Sequence, residues 1–177
     1  MNNIVLVGFM ATGKSTVGRQ VAARLKRQVV DTDDLIEEKA GKSISRIFGE
    51  DGEAVFRDME SQAAREVSGL SDTVIITGGG IVLRDENMEA LKKAGPVFCL
   101  TASAEAIYHR TRGTSHRPLL EGDDPLARIR DLLAVRSPFY ARADYIIDTS
   151  TLSIAEVADR IIHVLREHRP DISGEAS

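Results

Sequence analysis

The chain has 177 residues, 42% of them hydrophobic, which suits one domain of ordinary size burying roughly 70% of its extended surface. A net charge of −4 without a basic stripe argues against a nucleic-acid partner, and no apolar run reaches the roughly 20 residues that cross a bilayer. The single cysteine, Cys99, excludes an internal disulfide and a multi-cysteine metal site; no signal peptide is expected before the first strand, so the expected compartment is the cytoplasm.

The first apolar run, residues 4–7, leads into GFMATGKS at residues 8–15. This is the phosphate-binding pattern G-x-x-x-x-G-K-[ST], with a strand before it and a helix after it. In such a loop, backbone N–H groups surround phosphate oxygens, and the helix N-terminus adds partial positive charge. Lys14 is placed for the β- and γ-phosphates, and the Ser15 hydroxyl for Mg²⁺. Val17, Val21 and Leu25 then recur at spacing four, on the face opposite Arg19 and Lys26.

A second strand, 28–31, ends in Asp31-Thr32-Asp33-Asp34, with a helix expected over 34–40 and Asp34 as its N-cap. A helix over 54–67 opens after Gly52 and carries Arg57 near its start. The third strand, 73–77, runs into Gly78-Gly79-Gly80, which allow positive φ and close approach to a ligand. A helix over 85–94 stops at Gly95-Pro96, and the fourth strand covers 96–101, with Cys99 as a buried small hydrophobe. Residues 111–125 mix Gly, Pro and charge between Gly113 and Gly122, which reads as a hinged lid. Arg136 ends a helix, 145–148 is the fifth strand, and Ile154, Val157, Ile161, Ile162 and Leu165 form the apolar stripe of a last helix. The domain is expected over 1–169, with a frayed polar tail over 170–177.

Alternating strands and helices imply a parallel sheet covered on both faces, with ligands at the carboxyl ends of its strands. The loop, the Asp31/Asp33 pair and the glycines all fall on that edge. Phosphoryl transfer needs carboxylates to hold Mg²⁺ and to take a proton from the acceptor hydroxyl. No Asp ends the third strand and no N-K-x-D segment occurs, which argues against a switch GTPase or motor ATPase. Of His109, His116, His163 and His168, only His116 lies in a suspect region, the lid, so no phosphohistidine is expected.

Taken together, GFMATGKST, the D-T-D of residues 31–33, Phe56-Arg57, Gly78-Gly79-Gly80, Arg117-Pro118-Leu119-Leu120, and Arg136 with Pro138 and Tyr140 resemble shikimate kinase over about residues 2–165. The resemblance implies a nucleoside-monophosphate-kinase-like P-loop fold, with a five-stranded parallel sheet of order 2-3-1-4-5 and a mobile lid. It implies transfer of the ATP γ-phosphate to the 3-hydroxyl of shikimate, in aromatic amino-acid biosynthesis. ATP would be held by Ala11, Thr12, Gly13, Lys14, Ser15 and Thr16, with Arg117 on the transferring group and Arg110 on the adenine beside residues 148–151. Arg57 and Arg136 would hold the shikimate carboxylate. Asp33, Gly79 and Gly80 would meet its hydroxyls, with Asp33 as the base. Ser15 would bind Mg²⁺ directly and Asp31 through water. Lys14 and Arg117 would share in catalysis by neutralising charge. A monomer is expected.

The family's loop commonly has Gly where this chain has Ala11. With negative φ the methyl would matter little; with positive φ it would cost about 1–2 kcal/mol and could weaken ATP binding. Two alternatives stand beside the resemblance: a gluconate-type kinase of the same fold, whose acceptor also carries a carboxylate, and a non-catalytic ATP-binding regulator.

Overall fold

The computed structural model describes residues 3–112 and 122–168. Five parallel strands lie in the order β2-β3-β1-β4-β5: β1 (Ile4–Gly8), β2 (Gln28–Asp31), β3 (Thr73–Ile76), β4 (Val97–Thr101) and β5 (Tyr145–Asp148). Eight helices are described: α1 (Lys14–Leu25), α2 (Thr32–Ala40), α3 (Ile44–Glu50), α4 (Glu53–Val67), α5 (Asp85–Ala94), α6 (Ala104–Thr111), α7 (Pro125–Tyr140) and α8 (Ile154–His168). A 3₁₀ turn, Ile81–Leu83, follows the glycines. The five strands and the 2-3-1-4-5 order agree with the sequence reading, and so do α2, α4 and α5, to within a residue or two at their ends.

The period-two geometry of a strand splits β1 between two cores. Ile4 and Leu6 pack with Val17, Val21, Val157 and Ile161 of α1 and α8 on one face. Val5 and Val7 pack with Ala64, Val67, Leu91 and Ile129 of α4, α5 and α7 on the other. Burial on both faces explains why β1, β3 and β4 read as near-continuous apolar runs. A third cluster, Ile36, Ile47, Phe56 and Ala63, joins α2, α3 and α4 beside the sheet. Its rings Phe48 and Phe56 stand 4.8 Å apart.

Several readings need correction. Helices α3 and α6 were not expected; each is short and opens on a serine cap, Ser43 accepting from Arg46 N–H (3.3 Å) and Ser103 from Ala106 N–H (3.1 Å). The N-cap of α2 is Asp31, whose Oδ1 accepts from Asp33 N–H at 2.9 Å, and not Asp34. The reason is that β2 passes into α2 without a connector, so the last strand residue must supply the cap. Arg136 does not end its helix: α7 runs on through Pro138 to Tyr140. Residues 113–121, the middle of the expected lid with Gly113, His116 and Arg117, lie outside the described residues, as does the tail from 169.

Candidate active site

At the carboxyl edge of the sheet lies a cleft of about 950 Å³. It brings together Ala11, Gly13, Lys14, Ser15, Thr16, Asp31, Asp33, Arg57, Gly79, Gly80 and Arg136 from the set singled out in the sequence. Further wall comes from Ser43, Ile44, Ser45 and Phe48 around α3, from Glu37, Phe56, Glu60 and Thr77, and from Met10 and Gly78.

The phosphate end is made of backbone. Gly13, at φ +92, turns the chain into α1, a conformation open to glycine at little cost. Ala11 sits at φ +58, in the left-handed region, where its methyl costs about 1–2 kcal/mol. Its carbonyl accepts from Arg110 Nη1 at 3.0 Å. Lys14 is 8% exposed, and its Nζ donates to Gly8 O and Phe9 O, both at 2.8 Å. The ammonium is therefore curled into the loop whose phosphate it would meet. Thr12 is buried behind the loop, its hydroxyl donating to Phe9 O at 2.8 Å.

Arg110 does not line the cleft. Its Nη2 donates to Thr149 O at 2.8 Å, fastening the residues after β5 to the P-loop. Thr149 itself, 3% exposed, has its hydroxyl within 3.1 Å of Thr12 O and 3.0 Å of Thr101 O. Sequence reasoning pointed to residues 148–151 only as an adenine wall and missed this bracing.

The acceptor end is made of buried charge. Arg57 is held by Glu60 (Nη1 to Oε2, 2.6 Å) and by Glu53 (Nη2 to Oε1, 3.0 Å). Glu60, only 1% exposed, was missed; its signal was an acid three residues after Arg57, the spacing of helix neighbours. Burial raises the Glu60 pKa, opposed by Arg57. Arg136 is 4% exposed, with its guanidinium carbon 5.6 Å from the centre of the Phe9 ring. Tyr140, one turn on, donates to Gly79 O at 2.7 Å.

Asp33 stands between the two ends. Its Oδ1 is buried and has no hydrogen-bond partner among the described residues. Its pKa is pushed up to about 7, first by burial and then by the charges of Asp31 and Glu60, with Lys14 pulling the other way. Asp31 is also raised, mainly by burial, and this is opposed by the backbone bond to Asp33 N–H. A carboxylate poised near neutrality, in a cleft that also holds a phosphate loop and two buried arginines, can accept a hydroxyl proton at working pH.

None of Gly78, Gly79 and Gly80 has positive φ, contrary to the conformational part of the expectation. Among the described residues no group of three or more His, Cys, Asp or Glu could hold a metal unaided.

The shikimate kinase family model matches residues 10–166. The chain belongs to the shikimate kinase family. It is 49% identical over 162 residues to the shikimate kinase of Thermodesulfovibrio yellowstonii, covering 92% of this chain and 94% of that one. It is 48% identical over 162 residues to that of Caldanaerobacter subterraneus, covering 92% and 95%. The structure of the shikimate kinase from Acinetobacter baumannii in complex with shikimate matches it with a TM-score of 0.91 at 37% identity, over 96% of this chain and 95% of that chain. Members of the shikimate kinase family are ATP-dependent kinases of the shikimate pathway, and such chemistry generally needs a divalent metal. The gluconate-type and non-catalytic readings give way to the family match, which agrees with the resemblance read from the motifs.

Proposed function

We propose that ATP and shikimate meet across this cleft, with the γ-phosphate over Lys14 and the shikimate 3-hydroxyl on Asp33. Arg57 and Arg136 clamp the acceptor carboxylate, guanidinium being the planar partner of choice for such a group. The N–H groups of Gly79 and Gly80 meet ring hydroxyls. As the new O–P bond forms, the hydroxyl proton passes to Asp33, the bond from the γ-phosphorus to its bridging oxygen breaks, and ADP leaves. Lys14 and Arg117 neutralise charge on the transferring group; the part given to Arg117 rests on the R-P-L-L motif alone. Arg110 packs on the adenine once nucleotide enters, exchanging its bonds to the loop for the ring face.

The oxygen donors fit Mg²⁺. Asp31 spends one oxygen on capping α2 and retains lone pairs for a bound water, and Ser15 opens α1 at the cleft. With so few protein ligands, phosphate oxygens and water must complete the shell, which is the habit of Mg²⁺. When bound, the ion would supply charge neutralisation at the β- and γ-phosphate oxygens.

The observation that carries this reading is the buried, unpartnered Asp33 Oδ1, in a cleft that unites the P-loop with Arg57 and Arg136. The test is ADP release with shikimate, gluconate and nucleoside monophosphates offered separately. Turnover with shikimate alone is expected; turnover confined to either other acceptor overturns the reading. We also assign the chain to the cytoplasm, on its single cysteine, and expect no nucleic-acid partner, on its charge of −4.

A further inference from the structure

The three consecutive glycines at the end of β3 have a steric reason rather than a conformational one. Gly80 is at φ −95, ψ −3, and none of the three lies in the left-handed region, so an L residue could adopt their backbone. The obstacle is space. A methyl on Gly78 would stand 2.5 Å from Asp33 Oδ1 and 3.2 Å from its Cγ. A methyl on Gly80 would overlap Arg57 Nη1 and stand 2.7 Å from its Cζ. A methyl on Gly79 would meet Arg136 Nη1 at 3.3 Å, tight but short of collision.

The loop is not free to retreat. Gly78 N–H donates to the Thr32 hydroxyl at 3.3 Å, Gly79 O accepts from Tyr140, and Gly80 O accepts from Leu83 N–H at 3.1 Å. The Arg57 guanidinium is pinned by Glu53 and Glu60. The Asp33 backbone is fixed in the first turn of a capped helix, so its carboxylate could yield only by turning about its own side-chain bonds.

We propose that Gly78 and Gly80 are positioning residues with separate kinetic duties. Gly78 leaves room for the Asp33 carboxylate and so governs the rate of transfer; Gly80 leaves room for the Arg57 guanidinium and so governs the hold on the acceptor's carboxylate. This rests on the roles given above to Asp33 and Arg57. It differs from backbone N–H contact with the substrate, because an alanine at either position keeps its N–H and loses only the room.

The experiment measures Gly78→Ala and Gly80→Ala alone and in Asp33→Ala and Arg57→Ala backgrounds, where the space is vacated. Readouts are kcat, KM for each substrate, and the melting temperature. Gly78→Ala is expected to lower kcat by about 10²-fold with KM for ATP changed less than about threefold. Gly80→Ala is expected to raise KM for shikimate by about tenfold or more with kcat within about threefold. Each loss, in kinetics and in melting temperature, should largely vanish in the vacated background. Equal damage to kcat and KM by both alanines, or losses that add in full to those of Asp33→Ala and Arg57→Ala, would overturn the proposal. If Gly78→Ala does not fold alone, the Gly78→Ala/Asp33→Ala pair should fold; an equally unfolded pair also overturns it. Near-normal turnover of Asp33→Ala by itself would instead remove the base role from Asp33, while the melting comparison would still decide whether Gly78 acts as a spacer.

Discussion

At the phosphate end of the cleft the proposed binding groups come from consecutive residues, 8–15, and would act mainly through backbone N–H groups. At the proposed acceptor end they come from β2–α2, α4, the glycine turn and α7, and would act through buried charged side chains and, at the glycines, through backbone N–H groups. A backbone cradle can be written into one short motif, because local φ and ψ values make it. A cluster of buried charges exists only when distant elements approach, and each charge needs a partner to survive desolvation. Glu60 under Arg57 is such a partner. Asp33 Oδ1, like Glu60 Oε1, has none among the described residues, and Asp33 is the proposed reacting position.

If the two ends are separable in this way, variants should divide their effects cleanly. The largest is expected at their junction. Asp33→Asn keeps shape and removes the base, so kcat should fall by about 10²–10⁴, with ATP affinity little changed. Near-normal turnover would merge the two ends into a simple binding cleft. Next comes Arg136→Ala, which removes a charge-assisted clamp worth about 1.5–3 kcal/mol. KM for shikimate should rise by about 10–100-fold and KM for ATP far less. Steady-state kinetics with each substrate varied in turn would show it, and equal rises would break the comparison.

A third prediction concerns stability. The native state raises Asp33 from an ordinary 3.8 to about 7, so it binds the proton more tightly than the unfolded chain. That contribution is fully present below pH 3.8 and is lost as pH rises through about 7. Asp33→Asn, which cannot ionise, should therefore gain in melting temperature over the parent at about pH 8 and gain little at about pH 4. Thermal melts at both values check this; a loss at the higher pH would mean that the charge is satisfied in a way the site does not show. The smallest effect belongs to Ala11→Gly. Release of left-handed strain, about 1–2 kcal/mol, is partly offset by about 0.5–1 kcal/mol of added unfolded-chain entropy. The melting temperature should rise by no more than about 6 °C, with KM for shikimate unchanged. A changed shikimate KM would show that the ends are coupled.

The same contrast explains what could be read from the residues alone. The sheet was legible because its three central strands, β1, β3 and β4, are buried on both faces and punctuated by Gly and Pro. The P-loop was legible because its chemistry is local, Asp33 stood out as a cleft residue by its place after a strand, and Arg57 and Arg136 gained weight as cleft residues through resemblance. Asp34 was given the cap that belongs to Asp31, since nothing in D-T-D-D reveals that the strand passes straight into the helix. Helix α3 was missed because ISRIFGE is too short to display a period, although Ser43 was a usable start signal. Glu60 was missed although its spacing of three from Arg57 on one helix was a usable signal. The steric fit of Gly78 to Asp33 was hidden for a different reason: it depends on α2 and the turn after β3 meeting in space, and no spacing in the chain encodes that distance.

The account turns on Asp33 as the residue that takes the proton. The most direct test is the pH dependence of kcat/KM for shikimate at saturating ATP, from about pH 5.5 to about pH 8.5, in the parent and in Asp33→Asn. The account predicts a fall on the acid side with an apparent pKa near 7 in the parent and its disappearance in the variant. A flat profile in the parent, or an acid limb that survives unchanged in Asp33→Asn, would contradict it.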